Sequence, residues 1–446
     1  MMRPRLILTV ALLWSVPLAG QMSARSDAGS ASNNEAEMLL PPPVNGRSFP
    51  TQYRAEQMSN YFRGRMRVDS SYVQNLYAGT GATSVNETTI SILPTFTFDR
   101  ESELQRLSIS YSPGYTSYRP TSALNELDQS AVVSFQRNLT LHSTLSINDG
   151  FVDSSTSFGF SNLATAGGIQ GVPVSVTPGI IPPFTQRLTN VADAEVTVQT
   201  GRNTMIGASG LVTLLHYPNQ SQTPGLYDGT SRGGSAFYSH RLTRNQYAGL
   251  IYTDMDMLTD PASVNESDTR VQDASVFYTI YLASQVPLSI VAGPQHYHVT
   301  QSGTPTLSSW VTSLAASIGW QGEYVSYALS YSQSVTGAGG LFGAFRSKSG
   351  TAQLRWRIAP SWSAGLSGQY ANNRTVGSNT FSNIENGHTL GGSVAVEHSI
   401  GAQLGVSFEY DRLHASYVGI PSFLNNPDSN RGTVSLWWQF TRPFGR

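Results

Sequence analysis

The sequence predicts an all-β protein. It is a transmembrane, antiparallel, up-and-down β-barrel of about 18 strands, with short turns at one rim and long loops at the other. Three observations predict this. Apolar and polar residues alternate with a period of two from about residue 65 onward. The alternating segments run for roughly 10–13 residues, whereas globular strands cluster near 5–6 and a tilted membrane-crossing strand needs about 9–11. The connectors between them alternate between short and long.

Composition narrows the class. The chain has 446 residues and a formal net charge of −1, too neutral for a nucleic-acid binder that works by neutralising phosphates. Charged residues make up 12%, about half the soluble norm of roughly 25%. There is no cysteine, so disulfides, thiolate metal sites, haem attachment and cysteine catalysis are excluded. The mean hydropathy of −0.20 excludes a helical membrane protein.

The elements follow in order. Arg3 and Arg5 precede the apolar run Leu6 to Val16, and small residues follow at Ala19 and Gly20. Residues 1–20 therefore read as a cleaved secretory signal peptide, too short in apolar length for a membrane helix. Residues 21–62 are small, polar and proline-bearing, with Pro41, Pro42 and Pro43 in a row. They read as a periplasmic, disordered or loosely attached leader. Residues 63–446 read as the barrel.

Within the barrel the alternation places strands at 65–77, 88–98, 105–116, 127–137, 139–149, 190–200, 203–215, 233–242, 246–258, 269–282, 287–299, 309–320, 323–335, 348–358, 361–374, 388–398, 402–415 and 431–441. The clearest face is Trp310, Thr312, Leu314, Ala316, Ile318 and Trp320, set against Val311, Ser313, Ala315, Ser317, Gly319 and Gln321. Pro94 and Pro113 fall inside two of the first four strands, where each deletes a ladder hydrogen bond. An even count puts both termini on the side of the short turns. An open sheet in hydrocarbon would leave two raw edges, so the sheet must close.

Tryptophans mark the strand ends. Trp320, Trp356, Trp362 and Trp438, with Phe440, lie near short turns or the C-terminus, and Trp310 opens a strand after a long loop. Amphipathic aromatics at both ends of strands are an interfacial girdle.

On this architecture residues 65–441 resemble the bacterial outer-membrane β-barrels, and among them the porin-like channels of 16–18 strands. The final strand, Val434, Leu436, Trp438 and Phe440 on one face, looks like the signal read by the barrel-assembly machinery. The chain departs from that pattern by continuing past Phe440 to Phe444 and Arg446. The resemblance implies short turns in the periplasm, long loops outside, and location in the bacterial outer membrane. In general porins the long loop after the fifth strand folds inward, and the link 150–189 falls at that position; it reads as a plug or constriction or, alternatively, as an external loop packing on neighbours or lipopolysaccharide.

The inferred lumen faces are rich in serine, threonine, glutamine, glycine and tyrosine, with few charges: Asp193, Glu195, Asp273, Arg355, Arg357, Glu397, Glu409 and Asp411. These are the pore-lining candidates. Arg355, Arg357 and Glu397 fall two strands apart, near enough to meet across the wall. A weakly charged lumen suits neutral, hydroxyl-rich solutes, because ion selectivity needs rings or ladders of charge. His296 and His298 share a strand face but lack the further ligands of a metal site. No Gly-x-Ser-x-Gly or His-Glu-x-x-His motif occurs, so no enzyme constellation, metal or cofactor is expected.

The function expected is diffusion of small hydrophilic solutes, sugars among them. The alternative is a conduit for exopolysaccharide export, acting with periplasmic export proteins through the leader. Partners expected are outer-membrane lipid and lipopolysaccharide, the assembly machinery through the C-terminal strand, and further copies of the chain in a trimer. No nucleic acid is expected.

Overall fold

Residues that alternate over a dozen positions need a hydrogen-bonding partner on each side. The computed structural model supplies both by closing one sheet on itself. It describes residues 60–444, apart from 77–83, 103, 156–184, 219–225, 261–266, 284–285, 302–304, 323, 338–342, 377–385 and 419–427. The signal-peptide and leader readings, up to residue 59, lie outside the described residues, as does most of the link 150–189.

The strands are β1 (Tyr61–Gln74), β2 (Glu87–Glu101), β3 (Gln105–Arg119), β4 (Glu126–Thr140), β5 (Ser143–Ser154), β6 (Arg187–Gln199), β7 (Thr204–His216), β8 (Asp228–Thr243) and β9 (Gln246–Asp260). They continue as β10 (Ser267–Ala283), β11 (Val286–Gln301), β12 (Leu307–Gln321), β13 (Val325–Gly337), β14 (Ala344–Ala359), β15 (Trp362–Val376), β16 (Asn386–Ile400), β17 (Leu404–Val418) and β18 (Asp428–Pro443). Each pairs with its sequence neighbours, and β18 pairs back onto β1 from Tyr61↔Pro443 to Gln74↔Asn430. The result is a closed, antiparallel barrel of 18 strands, in the order predicted. The first strand begins at Tyr61, inside the segment read as leader, and Phe62 stacks on Phe96 at 6.4 Å. No described helix is long and apolar enough to cross a membrane.

The termini share one rim with the short turns. Leu141 and His142 alone separate β4 from β5, and Pro360 and Ser361 alone separate β14 from β15. The longer links all lie at the other rim.

The two faces of the wall are chemically opposite. Outward positions include Val68, Ile92, Leu250, Val276, Leu329, Leu366, Phe408 and Leu436, all large, apolar and exposed. Inward positions bury hydroxyls, amides and charges, such as Ser134, Thr213, Thr279, Gln295, Asn373 and Ser435. A soluble barrel would be the reverse. Exposed apolar area on this scale is stable only against hydrocarbon, and closure removes the edges that hydrocarbon would penalise.

Six outward-facing strand-end aromatics bracket this apolar band. Trp320, Trp356, Trp362, Trp438 and Phe440 lie toward the short-turn rim, and Trp310 lies toward the long-loop rim. Trp310 and Trp320 are ten residues apart on one face of β12. At about 3.3 Å per residue and ~40° tilt they are separated by about 25 Å of height, the height of a barrel's apolar band.

The prolines act as their chemistry requires. Pairing between β2 and β3 stops at Ile92↔Tyr115 and resumes at Phe96↔Tyr111, and the interruption holds Pro94 and Pro113. On the inner face, glycines give room to rings from neighbouring strands. A Cβ on Gly405 would lie 2.2 Å from the Trp437 ring. One on Gly249 would lie 2.3 Å from Phe277 and 2.0 Å from the Tyr238 carbonyl oxygen.

Candidate functional site

The inner wall is built largely from hydroxyl pairs. Directly opposed serines and threonines hydrogen-bond across strands: Ser71 with Thr433 at 2.9 Å, Ser91 with Thr116 at 2.9 Å, Ser209 with Ser235 at 2.9 Å and Ser330 with Thr351 at 2.7 Å. Ser332 with Ser349 at 2.6 Å and Ser367 with Ser393 at 2.7 Å continue the pattern. Short hydroxyl side chains suit a face that must be wet without filling the space it encloses.

The charges concentrate where the barrel closes. On β1, Arg63, Arg65, Arg67 and Asp69 alternate inward. The Arg67 Nε donates to Asp69 at 2.6 Å, and its Nη2 donates to the Ser435 hydroxyl at 2.9 Å and lies 3.9 Å from Glu409. Arg431 on β18 donates to Asp411 on β17 at 2.9 Å. Arg63 pairs with Asp99, and Arg106 with Glu101 at 2.6 Å. The Arg65 guanidinium lies 5.0 Å from the Trp437 ring centroid. Buried charge is tolerated when paired, and the pairs of Arg63, Arg67, Arg106 and Arg431 supply that, while the Glu409 Oε1 stays buried without a hydrogen bond.

The predicted pore-lining residues all fall on inward positions, but they do not form one set. Glu409 and Asp411 join the seam network. Asp193 and Glu195 stand together on β6, where Asn148 donates to Asp193 at 3.1 Å and no described cation pairs with either. Asp273 accepts from the Ser275 hydroxyl on its own strand. Arg357 and Glu397 both sit level with Ser363, one strand to each side. Among the described residues no ion pair joins them, although Arg67 and Glu409 come within 3.9 Å across the same two strand spacings. The expectation that they meet across the wall therefore fails. Arg355 lies one inward position further along β14.

What the sequence did not suggest is the inward-folded end of one hairpin. β13 pairs with β12 only from Gln321↔Ser326 to Leu314↔Gln333. Beyond Gln333 it leaves the wall. The Val335 amide donates to the Gln295 side chain of β11 at 2.7 Å. Val335 and Ala344 are buried with Met257, Val271, Tyr297 and Val299 from β9, β10 and β11. The adjoining Phe345 of β14 is fully buried against Leu215 and Tyr217, Leu226 and Tyr417. Leu215 ends β7 and Tyr417 ends β17, strands eight places apart around the ring. An apolar bridge therefore crosses the lumen near the long-loop rim.

Two polar contacts hold its flanks. The Asn373 amide donates to the Tyr417 hydroxyl at 3.0 Å, and the Tyr217 backbone amide donates to Asp228 at 2.8 Å. Burial pushes the Tyr217 hydroxyl up to about 12, so it stays neutral at physiological pH.

His296 and His298 point outward. The His296 ring bonds Ser308 at 2.8 Å and lies 4.8 Å from the Trp310 ring. Among the described residues no three metal-ligating side chains converge.

No protein-family model matches the chain, and no curated protein is significantly similar in sequence. Several solved structures share its form. Pseudomonas aeruginosa OccK2 (OpdF) in complex with glucuronate aligns at 9% identity over 85% of this chain and 98% of that one, with a TM-score of 0.43. The outer membrane protein OpdK of P. aeruginosa aligns at 10% identity over 85% and 99%, with a TM-score of 0.39. Acinetobacter baumannii OccAB3 aligns at 8% identity over 85% and 99%, with a TM-score of 0.40. Likeness at this level is one of overall form, and nothing functional is drawn from it.

Proposed function

We propose that the chain is a channel of the bacterial outer membrane for small hydrophilic solutes, with neutral, hydroxyl-rich solutes such as sugars the preferred cargo. The observation that carries this reading is the inverted barrel: an apolar outer band, and an inner wall of hydroxyl pairs in which Arg63, Arg67, Arg106 and Arg431 are answered by carboxylates. A wall of 18 strands is too wide for side chains alone to fill, so it encloses water. Compensated charge gives a solute little electrostatic preference, whereas serine and threonine offer donors and acceptors to sugar hydroxyls. The signal-like N-terminus and the outward aromatic face of β18 support export and assembly into that membrane. The Phe345 bridge sets apolar side chains across the lumen near the long-loop rim.

Liposome swelling tests the reading. Neutral mono- and disaccharides are expected to enter faster than dicarboxylates of equal size. Entry governed by charge would overturn the sugar preference, and no entry at all would overturn the channel. An export conduit would instead be silent to small sugars and gain flux only with periplasmic partners present.

A further inference from the structure

The described wall parts between β12 and β13. These strands pair from Gln321↔Ser326 only as far as Leu314↔Gln333. The ladders on either side run on: β11 with β12 reaches Val299↔Leu307, and β13 with β14 reaches Gly337↔Ala344. Among the described residues, 307–313 of β12 and 334–337 of β13 therefore have no strand partner across the gap between them. A side-chain amide caps each edge. The Gln333 Nε2 donates to the Thr312 carbonyl oxygen at 3.0 Å, and the Gln295 Oε1 accepts from the Val335 amide at 2.7 Å. Capping of both edges marks a built slot and not a frayed ladder.

The slot lies within the membrane. Leu314, at its foot, is six residues above Trp320 on β12. At about 3.3 Å per residue and ~40° tilt it stands about 15 Å higher, inside an apolar band about 25 Å tall. Unpaired backbone at that depth is tolerated only where protein buries it or where it lines a cavity. Behind the slot the inner wall is apolar and not hydroxyl-lined. Met257, Val271 and Val299 from β9, β10 and β11 are buried with Val335 and Ala344, and Val311 of β12 packs against them. Val335 and Ala344 are the stopper. Ala344 adjoins Phe345, which lies on the other face of the same strand and carries the apolar bridge. One hairpin end thus closes the slot and crosses the lumen.

Resting on the outer-membrane reading above, we infer that this slot is a side passage by which an amphipathic solute, a hydroxyl-rich head with an alkyl tail, moves between the lumen and the outer leaflet. The hydroxyl pairs of the wall take the head, and the lining behind the slot takes the tail. Transfer from water to that lining is favourable in proportion to apolar area, so a solute without a tail gains nothing from it and stays in the lumen. Passage requires Val335 and Ala344 to draw back from β9, β10 and β11. That breaks the packing of two small side chains and the Gln295 cap, but no strand pairing with β12, because that ladder has already ended at Gln333.

Photolabelling of the full chain refolded in phosphatidylcholine vesicles tests this. Two diazirine probes share a maltose head. One carries a dodecyl chain with the diazirine at its end and resides in the bilayer; the other has no chain and stays in water. Peptide mapping reads the adducts. The alkyl probe is expected to label Val311 and Met257 behind the slot as well as Leu329 on the outer face. It is expected to spare Val132, which faces the lumen on the opposite wall in β4. Val335→Ala removes two buried methyl groups and is expected to raise the label on Val311 about tenfold. Label confined to the outer face in both proteins would overturn the inference. Equal label on Val311 and Val132, or equal label on Val311 from the chainless probe, would mean entry along the lumen and would overturn it too. Heat-modifiable migration verifies that Val335→Ala is folded, and Gln295→Ala, which frees the Val335 amide, is the substitute should it not fold. Maltose entry by liposome swelling on the same samples separates the two readings. Entry without label behind the slot defeats the passage and leaves the channel standing, and label without entry does the reverse.

Discussion

Replacing Phe345 with alanine is the sharpest perturbation of the lumen. The ring is fully buried in a cluster that joins the ends of β7 and β17 across the barrel. Removing a buried phenylalanine side chain costs about 3–5 kcal/mol. The wall is unaffected, because the hydrogen-bonded ladder of β14 with β15 continues on both sides of Thr375. The loss therefore falls on the bridge. At about 1.4 kcal/mol per factor of ten, even 3 kcal/mol raises the ratio of unbridged to bridged barrels by about a hundredfold. Single-channel recording in planar bilayers reads this directly. Phe345→Ala is expected to lengthen open dwell times or raise the conductance step, with no change in heat-modifiable migration. Traces indistinguishable from wild type in a folded barrel would refute the assignment of this cluster as the narrowing element.

Other outcomes follow from the same geometry. Arg67→Ala strands Asp69 and Glu409 at the closing seam, and is expected to cost about 3–5 kcal/mol and lower the temperature of heat modification markedly. Gly249→Ala sets a Cβ 2.0 Å from the Tyr238 carbonyl, a backbone atom that cannot swing aside. It is expected to destabilise the barrel by more than the usual 1–3 kcal/mol of overpacking, read as loss of folded species on refolding. The Tyr217 phenol ionises near 10 when released and near 12 when packed. The bridge therefore keeps its full stability below pH 10 and loses it as pH rises toward 12. Open occupancy should rise above pH 10 in wild type, and not in Tyr217→Phe. The acids at Asp193, Glu195 and Asp273 have no described cation partner, so reversal potentials should show a weak cation preference that Glu195→Gln reduces.

The barrel was legible because strands crossing hydrocarbon leave a period-two record with a sharp apolar contrast, and because turn lengths differ between rims. Eighteen strands could be placed on those grounds alone. The arginine rungs of β1 were also within reach: Phe62, Gly64, Met66 and Val68 alternate with Arg63, Arg65, Arg67 and Asp69. Only Phe62 fell in the segment read as leader; Arg65, Arg67 and Asp69 lay in the strand expected at 65–77 and were not taken into the pore-lining set. The salt bridges at the seam could not be read, since Arg67 meets Glu409 only after the first strand closes on the last. Alternation puts Arg357 and Glu397 on one face, level with Ser363, but it does not say which side chains turn toward each other: Arg67 approaches Glu409 over the same two-strand spacing, and Arg357 does not meet Glu397. The inward end of β13 and β14 was invisible for a different reason. Val335 and Ala344 follow the outward pattern, and only the early end of the β12 ladder turns that face against the inside of the wall.

The account stands or falls on whether a folded barrel passes water-soluble solutes. Conductance of refolded full-length protein in planar bilayers, recorded beside Phe345→Ala and with neutral oligosaccharides added, is the most direct measurement. Discrete steps with weak ion selectivity, enlarged or prolonged in the variant and blocked by an oligosaccharide, are the predicted result. A heat-modifiable, folded barrel that stays silent in both forms would contradict it.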